Sequence, residues 1–87
     1  MLTQTLKKAG RMSGAERLIA VAEYGRKVNE VLQDMDERFY CDGLGIYFRD
    51  GDIGEYYIGY LTLMNALTIP ADEMAVRIII KFAKGEC

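Results

Sequence analysis

Apolar positions recur through the first half of the chain at alternating spacings of three and four: Leu18, Val21, Gly25, Val28, Leu32, Met35 and Phe39. That is the seam of an amphipathic helix written in heptads, and Ala22 and Val31 widen the stripe. Ser13-Gly14-Ala15-Glu16 stands in front of it with the form of a capping box. The serine hydroxyl accepts from a free backbone N–H, and the glutamate three residues on reaches back. The pattern predicts a helix over 14–39. Gly25 costs about 1 kcal/mol relative to alanine inside a helix. Its place on the seam suits close backbone approach by a neighbouring element.

From residue 44 the period changes to two. Leu44, Ile46 and Phe48 alternate with Gly45, Tyr47 and Arg49, between the turn signals Asp42-Gly43 and Asp50-Gly51. A hairpin through Asp50-Gly51 would pair 44–49 with about 52–57. It sets Phe48 opposite Ile53 and Leu44 opposite Tyr57, but Ile46 opposite Glu55. The competing reading is helical. Asp52-Ile53-Gly54-Glu55 has a capping-box form, and Ile53, Tyr57, Tyr60, Met64 and Leu67 follow at spacings of 4, 3, 4 and 3. Gly54, Gly59 and the Tyr56-Tyr57-Ile58 triplet favour a strand. The helical period persists longer than a typical strand, and this favours a helix over 52–67.

Pro70 opens a third helix, 70–85, with Asp72 and Glu73 near its N-terminus, where the helix dipole favours them. Lys81 and Lys84 stand in its last turns, and Gly85 suits the position just past its end. Met74, Ala75, Ile78, Ile79 and Phe82 make its buried face, although Val76–Ile80 would also suit a strand. The expected fold is mainly α: a small bundle of about three helices (14–39, 52–67, 70–85) with a short extended segment or hairpin near 43–57. The alternative is α+β with a small antiparallel sheet. Eighty-seven residues make one domain, 1–87, with 1–12 a mobile or short helical arm.

Composition adds a reason to expect a second copy. A hydrophobic share of 51% is high for a chain this small, and a homodimer would cover the surplus. The seam residues Leu18, Val21, Gly25, Val28, Leu32 and Met35 are the expected dimer contact. No run of eighteen apolar residues occurs, so no membrane association is expected. The N-terminus lacks the apolar core of a signal peptide, and the expected compartment is the cytoplasm. Cys41 and Cys87 are too few for a disulfide framework and lack metal-site spacing.

The chain has no histidine and no tryptophan. Without histidine, neither a Ser-His-Asp nor a Cys-His pair can be assembled. No glycine-rich phosphate cradle is complete. A calcium loop starting at Asp50 puts Gly54 at the fifth position and Leu61 at the twelfth, where oxygen ligands are required. The expectation is a protein with no catalytic residue, no metal and no cofactor.

Charge is unevenly spread. Residues 32–60 carry seven acidic side chains (Asp34, Asp36, Glu37, Asp42, Asp50, Asp52, Glu55) against Arg38 and Arg49. Five of the six tyrosines crowd into the same stretch. Tyrosine buries its ring at an interface while its hydroxyl still finds a partner. The expected partner-binding surface is therefore Asp34, Asp36, Glu37, Tyr40, Asp42, Tyr47, Asp50, Asp52, Glu55 and Tyr56. Tyr57 and Tyr60 lie on the apolar stripe of 52–67 and are expected to pack against the long helix. The function this implies is a non-catalytic regulator or inhibitor that docks on a basic surface of another protein.

Two other classes follow from different residues. A small DNA-binding transcriptional regulator would use Lys7, Lys8, Arg11, Arg17, Arg26 and Lys27, although the overall acidic balance disfavours nucleic acid. A small-ligand binder would hold its pocket at an oligomer interface. In general character the short, acidic chain without catalytic groups resembles phage-encoded inhibitors of bacterial defence, such as anti-CRISPR proteins. The likeness covers no motif and assigns no residue.

Overall fold

The computed structural model describes residues 12–85. The expected N-terminal arm, its cations Lys7, Lys8 and Arg11, and Cys87 lie outside the described residues. Among the described residues, three helices and one three-stranded antiparallel sheet follow in the order α1 (Gly14–Met35), β1 (Phe39–Asp42), β2 (Gly45–Asp50), β3 (Gly54–Tyr60), α2 (Leu63–Thr68) and α3 (Ala71–Ala83). The sheet is a meander, β1-β2-β3. This is the α+β arrangement rather than the mainly α bundle.

The long helix starts where the sequence places it: Ser13 Oγ accepts from the Glu16 N–H at 3.1 Å. It ends at Met35 instead of residue 39. Asp36 adopts an extended conformation, and its carboxylate takes the Arg38 backbone N–H and two guanidinium nitrogens at 2.8–3.1 Å. Aspartate competes for nearby backbone donors in this way and so disfavours helix continuation. The turn is closed by the Phe39 N–H donating to the Asp36 carbonyl at 3.0 Å. Phe39 stays on the apolar side, but as the first residue of a strand.

The predicted helix over 52–67 is replaced by β3 and the short α2. Its apparent capping box is a hairpin loop, in which Asp50 pairs with Gly54 across Gly51–Ile53. The Asp52 N–H donates to Asp50 Oδ1 at 2.9 Å, and Gly54 takes a φ of +111°. Three-residue loops are common hairpin connections, and the positive φ of the strand residue just after this one suits glycine. The hairpin expectation was right in its elements and wrong in register, because the loop is one residue longer than Asp50-Gly51 alone allows. Phe48 faces Tyr56 and Tyr47 faces Tyr57. The true capping box is Thr62 with Asn65, satisfied in both directions at 3.0 and 3.1 Å. The third helix runs over 71–83 within the expected span, with Pro70 at its N-cap and Gly85 at φ +73° just past its end.

The core lies between α1, one face of the sheet and α3: Val21, Tyr24, Val28, Leu32, Phe39, Ile46, Phe48, Leu61, Ala75 and Ile78. Phe82 closes its far end, stacked on Phe48 at 4.4 Å and edge-on to Phe39 at 5.3 Å. Tyr24 fixes the α2–α3 junction by donating its hydroxyl to the Ile69 carbonyl at 2.7 Å. Burial pushes that phenol's pKa up to about 12. Four of the six residues expected at a dimer contact, Val21, Gly25, Val28 and Leu32, are buried inside the chain itself, while Leu18 and Met35 are exposed. The heptad seam is thus an intramolecular one, covered by the chain's own sheet and α3.

Gly25 has a concrete reason. A β-carbon built there would lie 2.8 Å from the Gly43 carbonyl oxygen and 3.6 Å from Leu61 Cδ1. The obstacle is backbone, which cannot swing aside. Gly25→Ala should destabilise the fold by about 1–3 kcal/mol, although alanine is the better helix former. Gly51→Ala, with open space around it, should be close to neutral. Chemical denaturation of both variants checks the contrast.

Candidate functional site

Among the described residues, the sheet has one face against the helices and nothing packed on the other. Directly paired residues in an antiparallel sheet point to the same side. Phe39, Phe48 and Tyr56 form one such row, and Cys41, Ile46 and Gly59 another, both on the core side. Tyr40, Tyr47 and Tyr57 form a row on the open side, and Asp42, Gly45 and Tyr60 the next. The register skips Ile58, which is extra in β3 opposite the Ile46–Tyr47 step. That bulge puts Tyr57 and Tyr60, three residues apart, on the same face.

The open face is consequently a tyrosine strip. The Tyr40 and Tyr47 rings stack at 5.2 Å with 16° between planes, and Tyr57 meets Tyr47 edge-on at 5.5 Å. Gly45 makes room for this: a β-carbon there would lie 2.7 Å from the Tyr47 ring, which leans back over it. The Tyr40 hydroxyl donates to Glu55 Oε1 at 2.5 Å, and the Arg49 guanidinium sits 4.9 Å above the Tyr40 ring. The hydrogen bond to Glu55, with lesser contributions from desolvation and the carboxylate's charge, raises the Tyr40 pKa. Tyr57 and Tyr60 project furthest, at 60% and 65% exposed. They were expected against α1, and the bulged strand turns them to solvent instead.

The remaining residues of the sequence-derived surface fall elsewhere. Asp36 and Asp50 flank Arg38, at 2.8 and 3.7 Å. The bidentate contact with Arg38 lowers the Asp36 pKa. These two carboxylates help hold the end of the sheet to the end of α1. Asp34, Glu37 and Asp52 are exposed around that same end. Tyr56 lies on the core side, half exposed, its hydroxyl donating to the Ile53 carbonyl at 3.2 Å. The open face therefore gathers Tyr40, Tyr47, Asp42 and Glu55 from the expected set, adds Arg49, Tyr57 and Tyr60, and leaves the rest at its margin. Alternation over 44–49 places Tyr47 and Arg49 together; nothing in the spacing of 57 and 60 shows a bulge.

Other candidates are placed as follows. Arg17 and Arg26 are nine residues apart on α1, about two and a half turns, and so lie on opposite sides of it. Among the described residues no three His, Cys, Asp or Glu side chains come together as a metal site, and no helix is long and apolar enough to cross a membrane. Cys41 is a partly buried free thiol whose pKa burial raises to about 11, so at neutral pH it is a thiol rather than a nucleophilic thiolate. No protein family, curated protein or solved structure matches the chain.

The Tyr40–Glu55 bond makes a testable sign. A group whose pKa rises on folding contributes stability below its unfolded value, near 10 for tyrosine, and loses it as pH rises through the folded value. Tyr40→Phe should therefore remove part of the alkaline loss of stability and take one phenol out of the titration. Denaturation at graded pH, with ultraviolet titration of the phenols, reads both effects.

Proposed function

We propose that the chain is a non-catalytic regulator or inhibitor that docks on another protein through the open, tyrosine-covered face of its sheet. The observation that carries this reading is the ordered strip Tyr40–Tyr47–Tyr57 with Tyr60 beside it. Rings already held by stacking lose little freedom when a partner covers them, and tyrosine anchors are frequent in interface hot spots. Tyr57 and Tyr60 are the projecting anchors. Tyr40 and Tyr47 form the floor, and Glu55 with Asp42 sets the polarity.

A partner with lysine or arginine side chains fits this face best. Cations favour the faces of tyrosine rings, as Arg49 does over Tyr40 within the chain. Asp34, Glu37 and Asp52 at the margin add attraction at longer range. An aromatic sheet face can also stack bases, but such sites combine aromatics with a cationic groove. Here Arg49 is the one cation paired into the tyrosine rows, and Glu55 lies opposite it.

The test is capture from the lysate of the organism that carries the gene, using wild type, Tyr57→Ala/Tyr60→Ala and Gly45→Ala. One partner should be held by wild type and weakened about 1,000-fold by the double substitution, near the combined loss of two hot-spot side chains. Gly45→Ala, which displaces the Tyr47 ring without changing charge, should weaken it less. All three proteins should keep the same circular dichroism. Retention of the partner by the double variant removes this face from the account. Binding of a DNA duplex that falls steeply with salt would replace the reading.

A further inference from the structure

The two edges of the sheet differ. Along β1 the edge is sealed by α1: Asn29 Oδ1 accepts from the Cys41 N–H at 2.9 Å, and Gln33 Nε2 donates to the Phe39 carbonyl at 2.5 Å. Along β3, among the described residues, no group from outside the sheet hydrogen-bonds the strand's backbone. The strand's seven residues, Gly-Glu-Tyr-Tyr-Ile-Gly-Tyr, include no lysine or proline of the kind that blunts exposed edges.

The alternation of an antiparallel ladder says which groups are open. Cys41 and Phe39 turn toward α1, so Tyr40 and Asp42 bond to β2, and Ile46, Phe48 and Asp50 face β3. Tyr56 and Gly54 answer them. Glu55 and Tyr57 therefore direct their N–H and C=O outward, on the stretch before the bulge.

Charge and shape are also distributed along β3. Its N-terminal end carries Asp50, Asp52, Glu55 and the exposed Ile53. Beside its C-terminal end lies a groove of about 260 Å³ between β3 and α3. Ile46, Ile58, Ile69 and Met74 contribute its apolar lining, and Arg77 and Lys81 add charge to the α3 side. Arg77 has Glu73 as a loose partner at 3.7 Å; Lys81 makes no ion pair among the described residues. Antiparallel pairing of two identical strands brings the first end of one beside the second end of the other, twice.

We propose that β3 pairs antiparallel with β3 of a second copy, joining two three-stranded sheets into one continuous sheet. Glu55 bonds to Tyr57 of the second copy and Tyr57 to its Glu55, with the two Tyr56 residues adjacent at the two-fold axis. This register keeps open faces together and core faces together. It covers Tyr56, which is 47% exposed on the core side. It brings the acidic hairpin loop and Ile53 of each copy toward the apolar, cationic groove of the other. The interface is self-complementary, as a two-fold contact must be. The dimer is independent of the partner-binding reading, and it sets both tyrosine strips on one side of the joined sheet.

Sedimentation equilibrium of the full chain tests it. Wild type should show twice the chain mass, dissociating as salt rises. Tyr57→Pro removes an outward N–H without touching the ladder to β2, and should give a monomer with unchanged circular dichroism. Arg77→Glu/Lys81→Glu and Asp52→Lys should each self-associate at least about ten-fold more weakly, from like charges brought together. Mixed, they should form a heterodimer, because both contacts are then opposite in sign. That rescue separates lost charge matching from lost folding. A wild type that stays monomeric, or swapped variants that dimerise as wild type does or fail to associate on mixing, would overturn the proposal.

Discussion

Gly25 places the backbone of α1 against the carbonyl of Gly43, the first residue of the turn between β1 and β2, and much of the architecture follows from that approach. The turn has Gly43 at φ +62° in a two-residue loop, with Asp42 paired to Gly45. Once the loop is seated on the helix, Cys41 falls beside Asn29 and Phe39 beside Gln33. The apolar row of β1 then meets Val28 and Leu32, both fully buried. A side chain at residue 25 would lift the hairpin from the helix. The sheet could not then present one face to the core and keep the other free.

The bulge at Ile58 matters next. Ile58 keeps the core side that alternation gives it, and the one extra residue returns Tyr60 to the open face beside the Tyr40–Tyr47–Tyr57 row. Without it, strict alternation would send Tyr60 inward. The phenylalanines Phe39, Phe48 and Phe82 hold the opposite face by edge and stacking contacts. Two aromatic layers thus lie on either side of one thin sheet, one stabilising the fold and the other facing outward. The proposed docking function rests on that second layer, which packing alone does not require.

Much of this was legible in the chain. The start and buried stripe of α1, the extended period of 44–49, and the span and end of α3 all follow from local pattern. Two errors have a common cause. Phe39 sits in step with the helical seam, yet Asp36 terminates the helix by binding the backbone and guanidinium of Arg38. Tyr57 and Tyr60 are spaced as on a helix, yet a bulged strand gives the same spacing of three on one face. Periodicity registers neither partner: the first ambiguity is settled by a side chain bonding two residues along the chain, the second by pairing with β2. The acidic middle was visible as composition, but the division into ion-paired Asp36 and Asp50 and the tyrosine face depended on register. Arg38 and Arg49 gained their roles only once the strands were paired.

Tyr47 and Tyr57 are cross-strand neighbours on an outward face, with α1 on the other side of the sheet. Nuclear Overhauser contacts in solution test it directly. Contacts are expected from the Tyr47 ring to the Tyr40 and Tyr57 rings, with close α-protons between Tyr47 and Tyr57, since that pair is not mutually hydrogen-bonded. Contacts from the Tyr57 ring to the methyl groups of Val28 or Leu32, with sequential amide contacts through 53–60, would contradict it. They would place that segment as a helix against α1 and leave no tyrosine face.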